Sequence, residues 1–299
     1  MASVQAKIFN LMLKSRRKPV FDLHTSIPKF RQDCEEGARR FGKFPAGVEV
    51  IPVSIDNMYA EWLMPAHNQK QRIILYIHGG GYVSGSCSDH RAIVANRIAK
   101  DCEAATLLFE YRLAPEYPYP AALDDSVKAY RWLLAQNIAP SNIIIVGESA
   151  GGGLCLATLI ALRDQELPLP AAAVAISPWT DLKCTGASYR TKNKVSVAPL
   201  NSWNVFSRHY VGDSDPGLPW VSPLYGDLRG LPPLFIVAGE ADELVDDSIR
   251  FAEKAKAAGV DVTLRVGESM IHCYPLLPPF IPEARQAMKE ICTFIKEHF

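Results

Sequence analysis

The 299-residue chain has no run of about eighteen apolar residues, so no integral membrane segment is expected. It has no net charge: 32 basic residues balance 32 acidic ones, evenly mixed. No electrostatic footprint for nucleic acid is left, and there is no long charged tail. C-x-x-C and H-E-x-x-H are absent, so no catalytic metal is expected. Nor is there an internal repeat or a low-complexity tract. The seven cysteines, at 34, 87, 102, 155, 184, 273 and 292, are scattered and odd in number. They read as reduced thiols of a cytoplasmic protein. The opening MASVQAKIFNLMLKSRRKP lacks a small-residue cleavage site and does not read as a signal peptide. Its Ile8, Phe9, Met12 and Leu13 share a helical face, expected to pack on the protein's own surface; an interfacial membrane helix is the competing reading.

What is present is an alternation. Apolar, β-rich runs occur at 48–55, 59–64, 72–77, 105–111, 142–146, 171–176, 233–238 and 261–266. Helical patterns lie at 91–100, 123–136, 152–164, 244–258 and 282–297. Strands alternating with helices predict an α/β fold: a mostly parallel eight-stranded sheet with helices on both faces. The first two runs lack a helix between them and predict an antiparallel edge. Two segments break the rhythm: the helical residues 1–45, and 184–215, which carry Trp203, Phe206 and Tyr210 at helical spacing. Both are candidates for a small helical cap over the carboxyl ends of the strands, where such sheets bind ligands. Residues 46–183 and 216–299 would then form the core.

Within 143–153 the sequence IIIVGESAGGG runs from strand through sharp turn to helix, with Ser149 at the apex. Small neighbours allow the strained, closely approached backbone that lifts a serine hydroxyl clear of a sheet. A second motif, His78-Gly79-Gly80-Gly81-Tyr82, follows the strand ILYI. Its glycines leave amide N–H groups bare, as stabilising an oxyanion requires. Gly79, Gly80 and the N–H of Ala150 are the expected donors. A phosphate-binding loop would need a lysine or G-x-G-x-x-G, and has neither.

A nucleophilic serine needs a base, and the base an orienting acid. Three histidines follow Ser149: His209, His272 and His298. Only His272 lies in a loop between the last strand and the last helix, where the base belongs. Asp242 comes just after the strand PLFIVAG and before a helix, placed to face that base; helix capping is its alternative, and Glu240 is its rival. Asp246 and Asp247 fall a turn into the helix. Cys273 reads as a small buried residue, and Asp181 as a partner of loop backbone. Tyr82, Trp203, Phe206, Leu276 and Leu277 are candidates to line a substrate pocket, by placement alone.

With these motifs assembled, the chain resembles the hormone-sensitive lipase family of α/β-hydrolases, including its bacterial class IV carboxylesterases. The matches are YIHGGGYVSGS at 76–86, EYRLAPEYPYPAALDD at 110–125, GESAGGGL at 147–154, SPWTDL at 177–182, ADEL at 241–244 and IHCY at 271–274. The resemblance implies a serine carboxylesterase acting on short- to medium-chain esters without a cofactor. Ser149 would be the nucleophile, His272 the base and Asp242 the acid, with Gly79, Gly80 and Ala150 holding the oxyanion. It also implies the two-part cap. Many members look like G-D-S-A-G at the elbow; Glu148 departs from this, and its extra methylene shifts that carboxylate's partners behind the elbow. Plant hormone receptors of similar fold lack the histidine, whereas His272 is present. The alternatives are an amidase or deacetylase using the same residues, and a non-catalytic small-molecule binder. An exposed last strand at 261–266 would offer an edge for a homodimer, as in some relatives.

Overall fold

The structure is a computed structural model that describes residues 2–14, 18–41, 44–67 and 72–299. Eight strands form one sheet in the order β1-β2-β4-β3-β5-β6-β7-β8. β1 (Val48–Ile55) and β2 (Met58–Pro65) are the predicted antiparallel edge. Asp56 and Asn57 join them with φ of 47° and 70°, the left-handed turn that suits a tight hairpin. β2 also runs antiparallel to β4 (Ala105–Phe109). From there β3 (Ile73–Ile77), β5 (Ile143–Glu148), β6 (Ala172–Ile176), β7 (Leu234–Gly239) and β8 (Val262–Gly267) are parallel.

The two-residue period of each strand splits the core. Ile73, Leu75 and Ile77 join one apolar cluster, with Leu123, Tyr130, Leu154 and Phe251 from α5 (Ala121–Ala135), α6 (Ala150–Asp164) and α9 (Val245–Ala257). Ile74 and Tyr76 face the other cluster, with Val94, Ile98 and Ile291. The central strands are therefore covered on both sides. The pattern expected at 91–100 begins earlier, because Ser86 and Asp89 form a capping box that starts α3 (Cys87–Val94). α3 continues through a π-helical turn, Ala95–Ala99, into α4 (Lys100–Cys102). α10 (Pro282–Glu297) lies where the sequence placed it.

Over the carboxyl ends lie α1 (Val4–Lys14), α2 (Ile27–Phe41), α7 (Ser188–Thr191) and α8 (Ser202–Val211). The first and last pairs are stitched together. Phe21 N–H donates to Leu200 O and Leu200 N–H to Pro19 O, both at 2.9 Å. Phe206 of α8 packs on Phe30 of α2, ring centres 5.5 Å apart.

Two expectations fail here. Cys102 and Cys292 are paired in a disulfide that ties α4 to α10, so the thiols are not all reduced. The second concerns only the face by which α1 packs: the helix does sit on the protein's own surface, through buried Ala6 and half-buried Phe9, but Ile8 is 55% and Met12 54% exposed. Polar bonds help seat it, from Ser3 to Glu283 and from Asn10 to the Ser269 carbonyl. The side chain of Leu13 lies outside the described residues. Among the described residues no helix is long and apolar enough to cross a membrane.

Candidate active site

β5 ends at Glu148 and α6 begins at Ala150, so Ser149 alone makes the turn. Its φ of 56° and ψ of −123° are strained for a residue with a side chain. Neighbouring backbone holds it there: Ser149 N–H donates to Ile176 O at 2.8 Å and Trp179 N–H to Ser149 O at 2.9 Å. Gly151 is obligatory, because a Cβ on it would lie 2.2 Å from Ile77 O. Helix and strand can close on each other only without that atom.

His272 reaches the elbow from the loop after β8. Its Nε2 is 2.9 Å from Ser149 Oγ and its Nδ1 is 2.9 Å from Asp242 Oδ2. Asp242 is fully buried, and its other oxygen, Oδ1, accepts the Leu244 N–H at 3.0 Å. Asp242 does not cap α9, whose N-cap is Leu244; the Oδ1 contact instead closes a turn just before the helix, which leaves Oδ2 for the histidine. Burial disfavours the imidazolium, yet the Asp242 carboxylate, with help from Cys273, holds His272 well above its ordinary pKa. The rivals are occupied elsewhere. Glu240 accepts the Ser269 N–H, Asp246 accepts from Ser188, and Asp247 accepts the N–H groups of Thr180 and Asp181. His209 lies in α8, and His298 faces the Phe294 carbonyl. Asp181 binds loop backbone at Lys183 and Thr185. Cys273 is half-buried at the cavity wall, and burial pushes its thiol up.

The glycine loop needs one correction. Gly79 does not offer a free donor, because its N–H points at Glu148 Oε1, 3.2 Å away. Its carbonyl meets His78 Nδ1 at 2.8 Å. In a trans peptide the C=O and N–H point in opposite directions. The His78 contact therefore turns the Gly80 N–H away from His78. The Gly80 carbonyl accepts from Val83 and Ser84, which turns the Gly81 N–H the other way in the same manner. Neither the Gly80 nor the Gly81 N–H donates to any described residue. Ala150 opens α6, so its N–H has no intrahelical acceptor. The three bare donors are Gly80, Gly81 and Ala150.

Ser149 and His272 open into a cavity of about 1380 Å³ whose walls include residues of α2 and α8. Trp203, Phe206 and Leu276 line it, as expected, and Phe30 and Cys34 of α2 add a wall that the sequence did not single out. A smaller lobe of about 580 Å³ shares His272 and Leu276 with it and is lined by Leu277 and Phe9 as well. Tyr82 lines neither. Its φ of 64° turns the side chain into the core, where it stacks on Tyr210 with ring centres 3.7 Å apart and is 1% exposed. No group of three or more metal-binding side chains exists among the described residues.

The comparisons agree with this architecture. A family profile for the alpha/beta hydrolase fold matches residues 74–276. An acetyl-hydrolase from Streptomyces hygroscopicus is 41% identical over 246 residues, which span 82% of this chain and 81% of that one. The crystal structure of an esterase/lipase from an uncultured bacterium superposes with a TM-score of 0.93 at 40% identity, covering 99% of both chains. An esterase from the bacterial hormone-sensitive lipase family gives 0.90 at 36% identity, covering 100% of this chain and 99% of its own.

Proposed function

The chain belongs to the hormone-sensitive lipase family of alpha/beta hydrolases and is a carboxylic ester hydrolase, and on that footing we propose that Ser149, His272 and Asp242 cleave short- to medium-chain esters through an acyl-enzyme. The observation that carries this reading is the unbroken string Ser149 Oγ, His272 and Asp242, with 2.9 Å at each link, opening on an apolar cavity.

His272 takes the Ser149 proton at Nε2 as Oγ attacks the ester carbonyl. The carbonyl oxygen becomes an oxyanion, held by the N–H groups of Gly80, Gly81 and Ala150. Losing one such donor costs about a hundred- to a thousandfold in rate. The C–O bond then breaks, and His272 returns the proton to the leaving alcohol. Water attacks the acyl-enzyme by the same route, giving up its proton to His272, and the acid leaves. Asp242 keeps the imidazole in the Nδ1–H tautomer and stabilises the imidazolium.

Residues 1–45 and 184–215 act as one cap whose Phe30, Trp203 and Phe206 set the size of the acyl or alcohol group admitted. Among the described residues β8 pairs only with β7 and has Val266 at its exposed edge, which supports a homodimer through that edge; sedimentation at micromolar concentration giving only monomer would dispose of it. The mechanism is tested by mass spectrometry after treatment with a serine-directed phosphonate. A single adduct on the peptide bearing Ser149, lost in His272→Ala, is expected. An adduct elsewhere, or none, refutes the assignment.

A further inference from the structure

Glu148 sits directly before Ser149, is 6% exposed, and lies against the cavity. A carboxylate there poses two problems. It is buried, so it needs compensating partners. It also stands beside the place where negative charge develops, which it would oppose. His90 answers both. Its Nε2 lies 3.2 Å from Glu148 Oε1, the same oxygen that takes the Gly79 N–H, and its Nδ1 lies 2.5 Å from Asp89 Oδ1. Asp89 Oδ1 in turn accepts the Ser86 N–H at 2.7 Å, within the capping box that begins α3. The string therefore runs from a fixed helix terminus, through one imidazole and two carboxylates, to the Gly79 amide.

Only a doubly protonated imidazole donates to both carboxylates at once. Burial opposes that charge, but the bonds to Asp89 and Glu148 outweigh it and lift His90 to about 10. Tyr76 and Cys273 also face Glu148, and burial pushes both up so that they stay neutral; His78 shifts in the opposite sense, pushed down to about 4 by burial and the charge on His90. A neutral His78 can then serve Gly79 from Nδ1.

We propose that His90 is a positioning residue for ester hydrolysis, acting through Glu148 to fix the Gly79 peptide so that the Gly80 and Gly81 N–H groups face Ser149. This rests on the esterase reading above. His90 also cancels the Glu148 charge beside the oxyanion. The effect belongs to the transition state, so it falls on kcat and on transition-state analogues rather than on substrate binding.

The test is His90→Ala with and without Glu148→Gln, assayed on p-nitrophenyl butyrate and against a trifluoromethyl ketone inhibitor. In His90→Ala, kcat falls about 10- to 100-fold, up to the loss of one oxyanion donor, with KM nearly unchanged. Inhibitor affinity falls by the same factor as kcat/KM. Adding Glu148→Gln restores most of the loss, because the amide oxygen still accepts the Gly79 N–H and carries no charge to compensate. Unchanged kcat, a rise in KM alone, or no rescue by Glu148→Gln overturns the proposal. If His90→Ala does not fold, Glu148→Gln alone decides by NMR: the His90 imidazole titration moves down from about 10, and an unmoved titration overturns the proposal. Wild type and Ser149→Ala in the same assay separate the two failures. No serine-dependent turnover sinks the esterase reading, whereas normal turnover with no response at position 90 sinks only this one.

Discussion

Asp242→Asn is the substitution whose outcome the geometry fixes most tightly. Asp242 Oδ1 accepts the buried Leu244 N–H at 3.0 Å, and Oδ2 accepts from His272 Nδ1 at 2.9 Å. An asparagine has one acceptor oxygen and one donor NH2. Its oxygen must stay on the Leu244 N–H, since turning NH2 there would set donor against donor inside the core. The NH2 group then faces Nδ1, which must accept, and the ring proton moves to Nε2. That nitrogen then donates toward Ser149 and can no longer take its proton. The loss expected from a wrong tautomer is about 10⁴-fold in kcat, or ~5.4 kcal/mol of transition-state stabilisation. Both hydrogen bonds survive in number, so the thermal midpoint changes little and KM stays near wild type. Removing the carboxylate also removes what lifts His272 above its ordinary pKa. The acid limb of kcat/KM, which lies above pH ~6.5 in wild type because the base must be neutral, moves down in the variant. The assay is p-nitrophenyl acetate hydrolysis from pH 5 to 9. An asparagine variant within about tenfold of wild type, with the limb unmoved, refutes the tautomer argument.

The Cys102–Cys292 disulfide spans 190 residues of sequence, so reduction should lower unfolding stability by about 2–5 kcal/mol. Urea melts with and without reductant read this directly; identical midpoints, or the same response in Cys102→Ser, contradict it. Gly81→Ala should abolish most activity, because its Cβ would lie 2.4 Å from Phe206 Cδ2 at a φ of +65°, displacing an oxyanion donor; wild-type kcat in that variant removes Gly81 from the hole. His90 is raised to about 10 in the folded protein, against an unfolded value of ~6.5. Its stabilisation is therefore complete below pH ~6.5 and is lost as pH rises toward 10. The urea-midpoint gap between wild type and His90→Asn should narrow across that window; a gap that widens reverses the sign.

Much of this was legible in the residues because the strongest signals are local. β-branched runs predicted all eight strands to within a few residues, and the elbow showed itself as strand, glycine, serine, glycine, helix. The order of serine, aspartate and histidine followed from which loops come after which strands. The misses are nonlocal or depend on phase. A run of three glycines does not reveal which N–H is already taken, and only the Glu148 contact moves the proposed hole from Gly79 to Gly81. Tyr82 sits among cavity residues in sequence, but a left-handed backbone turns it inward. Scattered cysteines gave no pairing, because the partners lie on two elements that meet only in the fold. His90 carried no motif of its own; the serine and aspartate before it, at capping spacing, were the available hint.

The central claim is that Ser149 turns over carboxylic esters within a cavity of limited size. Hydrolysis of p-nitrophenyl esters from acetate through palmitate, by wild type beside Ser149→Ala, tests it most directly. Turnover that favours short and medium chains and collapses in the variant is the predicted result. Activity that survives Ser149→Ala, or its absence from wild type across the whole series, contradicts the account.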